Sequence, residues 1–232
     1  MIQTTLLKNS IQTTVPPLEN GDRLSRDEFD RRYEAMPANF KAELIEGVVY
    51  MSAAALRLRS HGQPHSLLNA WLATYHIATD GTIVGDAPSV RLDRGNEPQP
   101  DLALLIDPEC GGQSIVSEDD YIEGAPELLA EIAASTVSID LGTKKMAYQR
   151  NGVQEYLVWR VLDGEIDWFY LQDGQYLDLL ADTDGITRSL VFPGLWLDRT
   201  ALINGEMRQV MAILQLGIAS EEHDRFVTQL NS

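Results

Sequence analysis

Apolar positions change their period repeatedly along this chain, and each change marks an element. In "SRDEFDRRYEAM", Ser25 is followed three residues later by Glu28, a capping-box pattern that predicts a helix over roughly 26–36. "KAELIEGVVYMS" alternates apolar and polar residues around Gly47, which predicts two short strands joined by a tight turn. "PHSLLNAWLATYHIATDG" then places Leu67, Leu68, Trp71, Leu72 and Tyr75 at helical spacing, with Gly81 as its stop. "TIVGDAPSVRL" and "QPDLALLID" read as strands, separated by the turn chemistry of "DRGNEP". "CGGQSIVSEDDYIEGAP" is a polar loop and "ELLAEIAAS" a further apolar strand. "DLGTKKMAYQRNG" reads as a helix, with Asp140 as N-cap and Gly152 at its end. Three short strands follow, "QEYLVWRV", "EIDWFYLQ" and "QYLDLLA", divided by Asp-Gly turns at 163–164 and 173–174. "FPGLWLD" leads to an amphipathic helix at about 205–218 and a polar tail.

Strand–helix–strand around 127–160 implies parallel pairing, whereas the Asp-Gly turns imply antiparallel hairpins. The order fits one mixed α/β domain, with no linker dividing the middle and no internal repeat. The expected organisation is a flexible N-terminal segment at 1–21, the domain at 22–205, and a C-terminal helix and polar tail at 206–232.

Composition narrows the functional classes. The single cysteine, Cys110, rules out an internal disulfide and a cysteine-rich zinc site, and suits a reducing cytoplasm. No run of about eighteen apolar residues is present to span a membrane, and the N-terminal apolar stretch is too short for a secretory signal. A formal charge of −17 counts against a general nucleic-acid-binding surface. It leaves room for a small site in which a divalent cation inverts the local field.

The charged residues are unevenly spread. The only lysines are Lys8, Lys41, Lys144 and Lys145, and no Lys or Arg lies between Arg94 and Lys144, a stretch holding eleven acids. Asp101 opens the apolar run "DLALLI", at the mouth of a largely buried strand. Glu131 lies among Leu128, Leu129, Ala130 and Ile132, where a carboxylate requires a cation to offset desolvation. At about 100° per residue, with Leu141 as zero, Lys144 falls near 300° inside the apolar arc and Lys145 near 40° at its edge. A plain salt bridge accounts for Glu131 equally well, and a lysine snorkelling to solvent accounts for Lys144. Taken together, Asp101, Glu131 and Lys144 suggest a shared site. Two carboxylates on adjacent strands hold Mg²⁺, and a lysine orients the water that attacks a phosphate.

"ELIEG" at 43–47, "PD" at 100–101, "EGAPELLAEIAAS" at 123–135 and "DLGTKKMAYQRNGVQEYLVW" at 140–159 resemble the Uma2 family, formerly a domain of unknown function, over roughly residues 22–205. The resemblance implies the PD-(D/E)XK, restriction endonuclease-like α/β core, a mixed β-sheet flanked by helices. It implies metal ligation by Asp101 and Glu131, with Mg²⁺ or Mn²⁺ as cofactor and DNA as substrate. Ala133 stands where the superfamily's "ExK" text places lysine, so the lysine would be Lys144, moved onto the following helix. The family's hairpin glutamate matches Glu43 best and Glu46 second, and its histidine before the long helix matches His65 more closely than His61. The implied activity is metal-dependent DNA cleavage, with a homodimer in keeping with the fold and hairpins at 156–180 offering edges. The rival readings are a non-catalytic protein-binding member of the fold, favoured by the acidic charge, and a hydrolase of a small phosphorylated molecule.

The remaining residues carry less. His61 and His65 have no third zinc ligand at a sensible spacing and read as helix caps or cleft residues. His76 and His223 read as incidental. Tyr148 lies one turn after Lys144 and reads as a core tyrosine within reach of the site. Gln99 adjoins the Pro-Asp pair, and Glu155 with Tyr156 reads as an anchor for the helix-to-strand turn. Trp159, Trp168 and Trp196 read as core. "SEDDYIEGAPE" lacks EF-hand spacing, "GGQS" lacks the helix of a phosphate-binding loop, and Cys110 lacks catalytic partners.

Overall fold

A computed structural model describes residues 15–37, 40–51 and 57–232; residues 1–14 of the N-terminal lead-in lie outside them. The elements are α1 (Arg26–Tyr33), β1 (Ala42–Ile45), β2 (Val48–Met51), α2 (Gln63–Ile77), β3 (Thr82–Asp86), β4 (Val90–Arg91), β5 (Leu102–Ile106), β6 (Ile115–Val116), β7 (Ile122–Glu123) and β8 (Leu128–Ala133). They continue with α3 (Val137–Ile139), α4 (Lys145–Asn151), β9 (Glu155–Arg160), β10 (Glu165–Gln172), β11 (Gln175–Asp178), β12 (Thr187–Arg188), β13 (Trp196–Leu197), α5 (Arg199–Ile203), α6 (Met207–Ile218) and α7 (Glu221–Leu230). Two π-helical turns join them, Leu58–Gly62 ahead of α2 and Asp140–Lys144 between α3 and α4.

The central sheet has six strands in the order β11-β10-β9-β8-β5-β3. Within this sheet only β8 and β9 pair in parallel, because the helical segment 137–151 carries the chain back across the sheet between them. Every residue of β8 is buried, as expected of a strand covered on both faces. Alternation then divides the strand residues. Leu102, Leu104, Leu128, Ala130, Ile132, Leu157 and Trp159 pack under α2, while Ala103, Leu105, Leu129, Ala133 and Val158 pack with Tyr148 of α4. Glu131 shares the second face by parity.

The predicted β1–β2 hairpin forms, with Glu46 and Gly47 at φ 53° and 70° in the two-residue turn. It packs Leu44 and Val49 on Phe29 of α1. A bridge between Leu44 and Glu97 ties the hairpin to the segment leading into β5.

Several local expectations are corrected. Ser25 makes no side-chain cap to α1; Glu28 instead turns to Arg31 and Arg32, each at 2.7 Å. Asp140 is not an N-cap, because the helical segment begins earlier at Val137, and its side chain is buried at the first residue of the π-helical turn. The polar tail is largely helix α7, capped by Ser220 and anchored by His223, whose buried ring meets Thr79 Oγ1 at 2.9 Å and packs edge-on against Tyr75. Gly217 lets α6 approach the 192–196 turn, where an added Cβ would lie 2.2 Å from the Gly194 carbonyl oxygen. No helix among the described residues is long and apolar enough to cross a membrane.

Candidate active site

Three carboxylates surround one ammonium, with a fourth, Asp101, close by, at the end of the sheet where β8 finishes and β5 begins. Lys144 Nζ lies 2.8 Å from Glu43 Oε1, 2.9 Å from Glu131 Oε1 and 3.8 Å from Asp140 Oδ1. The lysine does not snorkel outward, since only 5% of its side chain is exposed. The π-helical turn puts Asp140 and Lys144 on the same inward side, and the extra residue per turn is a device often found at functional sites. Lys145, at the edge of the apolar arc, instead stacks its ammonium over the Phe169 ring at 3.3 Å.

Glu131 points from the covered face of β8 into this cluster and accepts a second hydrogen bond from the Tyr148 hydroxyl at 3.0 Å. Tyr148 is therefore both core and site-adjacent. Glu43 arrives from β1 and also accepts the Gln99 backbone N–H at 2.6 Å, which ties it to the residues before Asp101. Gln99 directs its own side chain to Tyr33 and Ser89, away from the cluster.

Asp101 closes the arrangement from the mouth of β5. Its Oδ2 accepts the Ile132 N–H at 2.6 Å, so it is bonded to the residue next to Glu131, and its Oδ1 lies 3.1 Å from His61 Nε2. His61 sits in the π-helical turn before α2, so two such turns flank the site. His65, the closer match to the family pattern, meets the Asp101 backbone carbonyl and the Asp86 carboxylate, each at 3.2 Å. Glu46 lies outside the cluster, paired with Arg150 at 2.6 Å on the surface.

The electrostatics follow from burial and crowding. Burial pushes the Glu131 carboxyl well above its usual range; Lys144 offsets part of this, and the charges of Asp140, Asp101 and Glu43 add to the rise. Burial alone would pull the Lys144 ammonium down, yet Glu131, Glu43 and Asp140 carry it well above the usual lysine range. Burial also raises Asp140 to about 6. Burial would raise Asp101 too, but His61 and the Ile132 N–H hold its carboxyl below the usual range. The hydrogen bond to Asp101 raises His61.

Among the described residues, no three His, Cys, Asp or Glu side chains converge as a ready-made ligand set. The reason is visible in the geometry: Lys144 occupies the space among three carboxylates, and His61 engages one oxygen of Asp101. The chemistry of the donors nonetheless suits a hard divalent cation. They are carboxylate oxygens from adjacent strands, and four acids against one ammonium leave surplus negative charge. Sequence reasoning missed Asp140 as a member of the cluster and gave His61 less weight than His65. Asp140 was legible four residues before Lys144, the spacing that puts two side chains on one helical face.

A mixed sheet flanked by helices, with acids and a buried lysine gathered at one end, defines a restriction endonuclease-like α/β fold. A solved structure of this kind, described as a "putative nuclease belonging to DUF820" from Anabaena variabilis, matches with a TM-score of 0.54 at 11% identity, covering 79% of this chain and 97% of that one. The chain belongs to the Uma2 family, whose description is "Putative restriction endonuclease" and whose model matches residues 26–203. No curated protein matches the chain.

Proposed function

We propose that this protein is a metal-dependent DNA endonuclease that hydrolyses phosphodiester bonds with activated water. The observation that carries the reading is the convergence of Asp101, Glu131, Glu43 and Lys144, from four separate segments, on one point at the end of the sheet. Family membership and the nuclease description of the structural neighbour favour the same chemistry. Asp101 and Glu131 would hold Mg²⁺ or Mn²⁺, with Glu43 reached through water; the ion supplies Lewis acidity and a water of lowered pKa.

The chain's own groups have distinct tasks. His61 and the Ile132 N–H fix the two oxygens of Asp101, so that its carboxylate presents one orientation. Tyr148 does the same for Glu131. Lys144, held between Glu43 and Glu131, donates to the attacking water and faces the charge that builds on the phosphate. Asp140 positions Lys144 from behind.

Supercoiled plasmid incubated with the protein and Mg²⁺, Mn²⁺ or EDTA tests the reading. Nicking with metal and its loss in Asp101→Asn are expected, with a rate drop of about 10² or more for a lost metal ligand. Failure of the folded protein to nick with either ion would overturn it. Weak salt dependence of DNA binding would favour a protein-binding role for so acidic a chain. Competition by nucleotides but not oligonucleotides would favour a small phosphorylated substrate.

A further inference from the structure

A second group of charged side chains gathers where α1 and β4 meet the segment leading into β5. Arg91 is at its centre, 3.5 Å from Glu97 Oε2 and 3.9 Å from Asp30 Oδ2, with the more exposed Asp119 and Glu123 at 2.8 and 3.4 Å. Glu97 is only 2% exposed. We propose that Asp30 and Glu97 share one proton, and that this bond clamps α1 to the segment that holds Glu43 in the carboxylate cluster. The proposal concerns how Glu43 is positioned and stands apart from the reaction assigned to the cluster.

Asp30 Oδ1, Glu97 Oε2 and Arg91 Nε are all buried without a hydrogen-bond partner among the described residues. The 3.5 Å approach of Arg91 Nε to Glu97 Oε2 therefore supplies charge without a hydrogen bond. The Asp30 and Glu97 carboxyls lie within hydrogen-bonding reach of each other. Ionised carboxylates only accept, so such a contact is a bond only when one of the two carries a proton. The other groups that face the pair are Arg26 of α1, which adds attraction, and Tyr121, whose ring lies 3.7 Å from the Arg91 guanidinium. Arg91 divides its charge with Asp119 and Glu123, so it does not neutralise both carboxyls. Burial and Asp30 together hold the Glu97 carboxyl up, at about 8. The bond is therefore intact at lower pH and is lost as pH rises through that value.

The backbone of Glu97 carries the clamp to the cluster. Its carbonyl accepts the Leu44 N–H at 3.1 Å, and its N–H donates to the Leu44 carbonyl at 2.7 Å. Glu43, the residue before Leu44, reaches Lys144 Nζ at 2.8 Å and accepts the Gln99 N–H at 2.6 Å. Phe29 of α1, the residue before Asp30, packs in the same small core as Leu44. β1 is thus held by both α1 and the 97–99 segment, and the shared proton joins those two holders. Once the proton is lost, two like charges meet there, and α1 and the 97–99 segment are pushed apart. Asp30 and Glu97 are in this sense positioning residues for Glu43.

Amide hydrogen exchange of the full chain, followed from about pH 6 to about pH 9.5, tests the clamp. The Leu44 and Gln99 N–H groups report on it, and the Ala130 N–H in β8 serves as the reference for the sheet. Leu44 and Gln99 should lose about tenfold of their protection relative to Ala130 as pH passes about 8, the scale of one hydrogen bond to a charged group. Glu97→Gln keeps a donor towards Asp30 and a similar volume but does not titrate, so its protection should stay level across the range. Asp30→Asn removes the like charge beside Glu97, so the fall should move to lower pH. Level protection in the wild type, or a fall at the same pH in either variant, would overturn the shared proton. If Glu97→Gln does not fold, the wild type against Asp30→Asn decides. The measurement needs neither DNA nor metal, so the plasmid assay tells its failure apart from failure of the nuclease reading.

Discussion

Replacing Lys144 with methionine removes the one ammonium from among three carboxylates while keeping much of the side-chain volume. In the native protein its nitrogen lies 2.8, 2.9 and 3.8 Å from Glu43, Glu131 and Asp140, and its side chain is 5% exposed. Each of the two short pairs is worth about 5–6 kcal/mol in gross Coulomb energy at an effective dielectric of about 20. The cost of burying the ammonium cancels much of this, and removing one partner of a buried pair costs about 3–5 kcal/mol net. At about 2–4 °C per kcal/mol for a domain of this size, Tm should fall by about 6–20 °C at pH 8. The second variant carries the argument: Lys144→Met with Glu131→Gln removes a stranded charge and should recover part of the loss. Thermal melts of the wild type, both single variants and the double variant close the cycle. A loss below about 1 kcal/mol in Lys144→Met, or a double variant no more stable than Lys144→Met, would refute the buried-cluster reasoning. The penalty should also shrink in acid. A carboxyl whose folded pKa is raised binds its proton more tightly when folded, so its charge no longer opposes folding once the pH is below that value.

Two further outcomes follow from the same structure. Burial holds the Glu97 carboxyl at about 8, above its ordinary 4.5, with Asp30 pushing the same way and Arg91 pulling down. Its contribution should therefore weaken stability as pH rises from 4.5 towards 8 and level off above, by at most about 5 kcal/mol. Urea unfolding across that window should show this slope reduced in Glu97→Gln, and equal slopes in the two proteins would refute it. Lys145→Ala should retain nuclease activity while Lys144→Ala loses it, because the Lys145 ammonium is committed to Phe169; a plasmid assay showing comparable losses would contradict this division.

The β8 run and the β1–β2 hairpin were legible because burial on both faces and a Glu-Gly turn leave local signatures. The wheel also separated Lys144 from Lys145, since facing inward is set largely by local spacing. The cap roles given to Ser25 and Asp140 failed for a different reason. A hydroxyl or carboxylate forms a cap only when no better partner is near, and Glu28 found two arginines while Asp140 turned towards Lys144. His223 looked incidental because its partner, Thr79, lies far away in the chain.

What the sequence by itself determined is the mixed α/β order, the acidity of the chain, and the set of acids and one lysine from which a site could be built. Tertiary structure alone decided the membership of that set. Asp140 joined it and Glu46 left it, and His61 rather than His65 took the Asp101 carboxylate. The physical reason is that a buried charge is placed by the partners that offset its desolvation, and here those partners come from β1, β5, β8 and a π-helical turn that only the folded sheet brings together.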